Sequence, residues 1–145
     1  MNTYEEIKKL LIENNIEYEE LIHEEVTTAL EASLVRENIS LSEGAKSLIL
    51  KVKRKNAIEY INIIVCGNAK FDNKLIRKIV EASEISFASP KEVEEITHGV
   101  VPGGVPPFGN LFGIKVYADE NILNNEKIAF SAGKRSITIV MKTND

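Results

Sequence analysis

Residues 97–113, THGVVPGGVPPFGNLFG, hold five of the chain's eight glycines and three of its four prolines. Proline lacks a backbone N–H and interrupts helices and sheet ladders, so neither a helix interior nor a central strand can be built there. The same segment carries Val100, Val101, Val105, Phe108, Leu111 and Phe112. That apolar content is unsuited to a solvated linker, so the segment reads as an ordered loop packed against a core. Glycine lets a ligand come close to the backbone, and proline stiffens the approach. Bare N–H groups on such a loop suit a carbonyl oxygen or a phosphate. The bland alternative is a surface crossover without chemistry. Loops this long in compact domains are usually functional or disordered, and the apolar side chains argue against disorder.

The flanking chain alternates helices and strands. Thr3 and Glu6 read as a capping box opening a helix over residues 4–14, with Ile7, Leu10 and Leu11 at helical spacing and Asn14-Asn15 as its stop. Residues 18–23 read as extended. Thr28 and Glu31 form a second capping box, for a helix to about Glu37 with Ala29, Ala32 and Ser33 as small packing residues. After the turn residue Gly44, the runs KSLILKV (46–52) and YINIIVC (60–66) predict paired core strands separated by the basic stretch 53–56. Asp72 or Asn73 caps a helix over 74–82, with Leu75, Ile76, Ile79 and Val80 on one face. Residues 87–88 suit a short strand. Ser89-Pro90 with Glu92 is a strong helix start, and that helix runs to about Thr97. Beyond the loop come a strand at 114–118, a helical turn capped by Asp119, and strands at 127–131 and 136–141 joined by Ala132-Gly133-Lys134. The expected fold is one α/β (α+β) domain over residues 1–145: a mixed, partly barrelled central sheet flanked by helices.

Hydrophobic residues make up 43% of the chain and charged residues 28%, with net charge −4 and a pI near 5.4. That balance is ordinary for a soluble domain and does not suggest a nucleic-acid-coated one. The single cysteine, Cys66, cannot form an intrachain disulfide and is expected in the core. Its solitude fits a reducing compartment. The start is charged rather than signal-like, and no apolar run nears the ~20 residues of a membrane span. A cytoplasmic protein with no membrane contact is expected.

Familiar catalytic signatures are absent. The glycine cluster lacks the strand–GxGxxG–helix context of a dinucleotide site, and no Walker loop is present. His23 and His98 lie far apart with no metal-ligand spacing, so no metal and no cofactor are expected. Ser131 and His98 have no nucleophile elbow to join them. There remains Lys46, at the mouth of an apolar strand, where a lysine can donate to a carbonyl or phosphate. By position alone, an edge lysine snorkelling to water is the better reading.

Three stretches, taken in order, shift that balance. They are His23, Thr28, Glu31, Ala32, Val35-Arg36, Leu41, Gly44-Ala45-Lys46 and Leu48; then GVPPFG from Gly104 to Gly109; then Asp119, Ile122, Phe130, Ala132, Gly133, Arg135 and Ser136-Ile137. The ordered set resembles the YbaK/ProRS-associated editing domain family, the free-standing aminoacyl-tRNA deacylases and the editing insertion of bacterial prolyl-tRNA synthetase. The resemblance implies hydrolysis of the ester between a wrong amino acid and the 3′ end of tRNA. It implies that Lys46 and loop amides, Gly104 first and Gly103 second, hold the aminoacyl carbonyl. It also implies that a hydroxyl of the terminal adenosine, rather than a protein base, helps to activate water.

His23, Thr28, Pro106, Phe108, Asp119, Ser131 and Gly133 are the substrate-side candidates. Each has a plain structural alternative: Thr28 and Asp119 as helix caps, Ser131 as a strand end, His23 as a pocket wall. Lys51, Lys53, Arg54, Lys55, Lys134 and Arg135 are candidate contacts for tRNA phosphates, against a solvated hairpin tip. An aminoacyl-tRNA synthetase is a candidate partner. Where many relatives read T-S-E-E-A, this chain has Thr28-Ala29-Leu30-Glu31-Ala32, which alters the amino-acid pocket. The competing reading is a non-catalytic module that binds an aminoacyl or nucleotide ligand beside a synthetase.

Overall fold

The structure, a computed structural model, describes residues 2–26, 28–36 and 38–145, the side chain of Ala29 excepted. The expected packing role of Ala29 and the expected helix end at Glu37 fall outside that description. Helix α1 (Thr3–Glu13) is capped by Asn2, whose side chain accepts the Glu5 N–H. The cap is therefore not Thr3; that side chain is buried and packs beside Gly133. Strand β1 (Tyr18–Ile22) is followed by α2 (Ala29–Val35), capped as expected by Thr28, which accepts the Glu31 N–H. A 3₁₀ turn at Leu41–Glu43 delivers the chain into β2 (Ala45–Arg54), which pairs antiparallel with β3 (Ala57–Cys66). Arg54 pairs with Ala57, so the strands run into the basic stretch and leave Lys55 and Asn56 as the turn.

Helix α3 (Asn73–Ile79) is capped by Asp72, strand β4 spans Glu84–Phe87, and α4 (Pro90–Thr97) opens with the predicted Ser89–Glu92 capping box. Only Ile76 and the C-cap Val80 of α3's apolar face meet the sheet; Leu75 and Ile79, which share that face, are 53% and 61% exposed. A seven-residue helix lying on a sheet buries a stripe at i, i+4, not half its circumference. Strands β5 (Lys115–Ala118), β6 (Lys127–Ser131) and β7 (Ile137–Lys142) complete the chain, with an Asp119-capped 3₁₀ turn between β5 and β6.

The expected single central sheet is two sheets. One is antiparallel, in the order β1-β7-β6; the other is mixed, in the order β4-β2-β3-β5, with β5 parallel to β3. They do not close into a barrel, and an isolated parallel bridge between Gly44 and Ala129 links them. A core shared by α1 and both sheets gathers Ile7, Leu11, Ile64, Phe130 and Ile139. The other face of the four-stranded sheet is covered by α3, and Val100 and Val105 of the loop pack with Val93 of α4 on Ile49. The glycine–proline segment is thus ordered and built into the core.

Candidate active site

Three backbone-to-side-chain ties fix the loop over the mixed sheet. Asn62, wholly buried in the middle of β3, accepts the Gly109 N–H at 3.1 Å and donates to Ser47 Oγ at 2.8 Å and to the Leu48 carbonyl at 3.1 Å. Ser47 Oγ in turn donates to the Pro106 carbonyl at 3.0 Å. From the other side Arg135 Nε donates to the Pro102 carbonyl at 2.8 Å, and the Gly133 N–H donates to the Gly104 carbonyl at 2.9 Å. Arg135 is itself steadied by Glu25, 3.4 Å away.

The Arg135 contact orients an amide. The Pro102 carbonyl and the Gly103 N–H belong to one trans peptide plane, so they point in opposite directions. Fixing the carbonyl on Arg135 turns the Gly103 N–H away from that side chain. Gly103 sits at φ +89°, a conformation natural to glycine, and a Cβ there would come within 3.3 Å of Arg135 Nε. Among the described residues the Gly103 N–H has no acceptor. The Gly104 N–H is already given to the Val101 carbonyl at 3.0 Å, and the residue is buried. Of the two amides ranked from the sequence, Gly104's is occupied and Gly103's is the one without an acceptor among the described residues.

Gly103 and Lys46 line the same cavity, of about 500 Å³, together with Thr28, Ser131, Arg36 and Pro102. Lys46 is half-buried at the start of β2, with Nζ 3.4 Å from the Ala69 carbonyl and no carboxylate partner among the described residues. The wall is rich in hydroxyls, adding Ser33, Ser40 and Ser47, and among the described residues it contains no aspartate or glutamate. In a chain carrying 22 acidic residues that exclusion leaves the cavity electropositive.

The remaining candidates lie elsewhere. His23 does not line the cavity; Nε2 meets Thr138 Oγ1 and Nδ1 meets the Glu24 carbonyl, both at 2.7 Å. Phe108 stacks edge-on against Phe130 in the core, with ring centroids 5.4 Å apart. Pro106 is buried and supplies only its carbonyl to Ser47. Asp119 caps its 3₁₀ turn by accepting the Asn121 N–H. Gly133 faces a second cavity, beside Thr3 and Tyr4 of α1.

Of the cations, Lys51 pairs with Glu92 at 3.3 Å and Arg54 with Glu59. Lys53, Lys55 and Lys134 make no ion pair among the described residues. Lys53 lies seven residues along β2 from Lys46, about 23 Å at ~3.3 Å per residue.

Two site residues escaped the sequence reading as functional candidates. Asn62 had a signal, as the lone amide in the run YINIIVC. Arg36 had a weaker one, as a charge at the end of a short helix. Arg36 is buried, 8% exposed as a residue, with Nε donating to Thr138 Oγ1 at 2.9 Å and Nη1 3.5 Å from the Ala129 carbonyl. Burial pulls its pKa down to about 10, which still leaves it charged at neutral pH.

The family model for the aminoacyl-tRNA editing domain matches residues 23–145. The multifunctional Ser/Thr-tRNA deacylase ProXp-y of Escherichia coli (strain K12) is 30% identical over 144 residues, 99% of this chain and 85% of that protein. A proline–tRNA ligase of Bacillus licheniformis is 30% identical over 96 residues, 66% of this chain and 16% of the ligase. The solved structure of a proposed trans-editing enzyme for prolyl tRNA synthetase superposes with a TM-score of 0.78 at 21% identity, covering 99% of this chain and 88% of that one. At that identity the superposition speaks for the fold.

Proposed function

Since the chain belongs to the aminoacyl-tRNA editing domain family, we propose that it is a trans-acting aminoacyl-tRNA deacylase, cleaving the ester of mischarged tRNA. The observation that carries the proposal is that Lys46 and Gly103 line one cavity, with no aspartate or glutamate among the described residues of its wall. In this scheme both donate to the ester carbonyl as negative charge builds on its oxygen. Water adds to the carbonyl carbon, assisted by a hydroxyl of the terminal adenosine. The tetrahedral intermediate then breaks its bond to the ribose oxygen, which takes up a proton. Free amino acid and an uncharged 3′ end are released. One preorganised oxyanion donor contributes about 3–4 kcal/mol to such a step, enough to matter for an ester that is already activated.

The hydroxyls of Thr28, Ser33 and Ser131 suit a small polar amino acid, which agrees with the named specificity of the Escherichia coli relative. Discrimination by one methylene is worth only about 1–3 kcal/mol, the reason a separate editing step is needed. The match to part of a proline–tRNA ligase supports a synthetase as partner and the cytoplasm as the place of action.

The test is the purified protein mixed in catalytic amounts with seryl-, threonyl-, alanyl- and cysteinyl-tRNA. Loss of ester from at least one, abolished by Lys46→Ala in a protein of unchanged melting temperature, is the expected result. Stoichiometric protection of the ester instead would establish a binding module and overturn the enzyme.

A further inference from the structure

Arg36 takes no part in holding the ester, yet it is the most costly charge in the cavity wall. A buried guanidinium is tolerated when a carboxylate or an incoming anion offsets its lost hydration. Among the described residues it has no carboxylate partner. Its Nε and Nη1 face Thr138 and Ala129, whereas Nη2 has no acceptor among the described residues. Nη2 is not sealed in either: the fully enclosed, unsatisfied side-chain polar atom among the described residues is Thr143 Oγ1. Nη2 therefore opens onto the cavity that Arg36 lines.

The guanidinium is also held from behind. Arg36 Nε–H donates to Thr138 Oγ1, and Thr138, fully buried, meets His23 Nε2. With His23 Nδ1 against the Glu24 carbonyl, a neutral ring must carry its proton on Nδ1, so the Thr138 hydroxyl donates to Nε2. This chain of bonds fixes a planar donor whose open edge matches phosphate oxygens.

Of the groups a mischarged tRNA end offers, the amino acid's ammonium is repelled by a cation, and in the proposed hydrolysis the ester carbonyl is served by Lys46 and Gly103. The ribose hydroxyls and the adenine ring are neutral and do not offset a buried charge. The group whose charge complements the guanidinium is phosphate. We propose that Arg36 binds the phosphodiester joining the terminal adenosine to the nucleotide before it, and so sets how deep the reacting ribose enters the cavity. The naming of that phosphodiester rests on the deacylase assignment; the anion site itself does not.

Equilibrium titrations at low salt with adenosine, adenosine 5′-monophosphate and the dinucleoside phosphate CpA test this without any turnover. The wild-type protein is expected to bind the monophosphate at least tenfold more tightly than adenosine, and CpA at least as tightly as the monophosphate. Arg36→Met should erase the difference between phosphate-bearing ligands and adenosine, and Arg36→Lys should keep part of it. Replacing an uncompensated buried charge by an apolar chain is compatible with folding, which the melting temperature checks. Thr138→Val, which frees the guanidinium from its backing, is the second variant and should weaken the preference partway.

Equal binding of adenosine and its monophosphate by wild type, or a preference that survives Arg36→Met, overturns the proposal. A monophosphate bound tenfold more tightly than CpA overturns the phosphodiester in favour of a free nucleotide. Arg36-dependent CpA binding in a protein that hydrolyses no mischarged tRNA would leave this site standing and remove the deacylase.

Discussion

Asn62 does more for the loop than any residue within the loop. It is the shared partner of Ser47, Leu48 and Gly109; Asn62 and its bond to Gly109 are buried, and its other two bonds are partly so. Leaving buried partners unsatisfied costs about 1–3 kcal/mol each, so Asn62→Ala should lower stability by roughly 3 kcal/mol in urea unfolding. Gly109 is tied to the same point. A Cβ there would lie 2.7 Å from Asn62 Cβ, whereas one at Gly99 meets nothing within 4 Å and suffers only from φ +113°. Gly109→Ala should therefore cost several kcal/mol and Gly99→Ala about 1–2 kcal/mol. Equal losses from the two would mean that the Asn62 contact does not decide the loop's position. At this scale the sequence disclosed Lys46 and the glycine loop through their order along the chain. It showed Arg36 within the ordered set but not as a site residue, since a guanidinium's burial depends on β6 and β7, some hundred residues away.

Among the elements, α4 shows how a local signal becomes a tertiary anchor. Ser89 Oγ accepts the Glu92 N–H at 3.1 Å, and Glu92 returns the bond to the Ser89 N–H at 2.9 Å. The same carboxylate receives Tyr60 Oη–H of β3 and pairs with Lys51 of β2. The Ser89 amide first, then the Tyr60 hydroxyl, hold the Glu92 carboxyl down to about 2, from an ordinary 4.5. An unfolded chain takes up that proton first as pH falls. The stabilisation is therefore complete above about pH 4.5 and is lost progressively towards pH 2. A carboxyl ¹³C titration should find the midpoint near 2 in the native protein and higher in Tyr60→Phe. Ser89→Ala should cost about 1 kcal/mol through the lost cap.

The Ser89–Glu92 capping box and the pairing of the two apolar runs were legible because their partners lie close in sequence, whereas the strands extend further into the basic stretch than its polarity suggested, and α1 takes Asn2 rather than Thr3 as its cap. The division into two sheets was not legible, because β1 pairs with β7 across the whole length of the chain. The exposed Leu75 and Ile79 mislead for the opposite reason: helical spacing shows which residues share a face, not whether anything covers it.

For the molecule as a whole, the core between α1 and the two sheets makes them one cooperative unit. Phe130, 1% exposed, touches Phe108 from the loop side. Phe130→Ala should cost about 3–5 kcal/mol while circular dichroism and tyrosine fluorescence still report one coincident unfolding transition. Two separated transitions would show that the sheets hold together independently. The charge distribution is equally global. Among the described residues no acidic side chain lines the cavity, so its wall is cationic on an anionic body, and under the proposed function that wall meets the tRNA end. Activity should accordingly fall with added salt through KM more than through kcat.

Cys66 closes β3 as the chain's lone thiol, buried, with its pKa raised first by that burial and then by the charge of Asp119. A sulfur so placed ignores alkylating reagents until the fold opens. The protein thus carries its own clock for native-state fluctuations: the rate at which iodoacetamide labels it counts opening events at the floor of the hairpin, with no engineered probe and no denaturant.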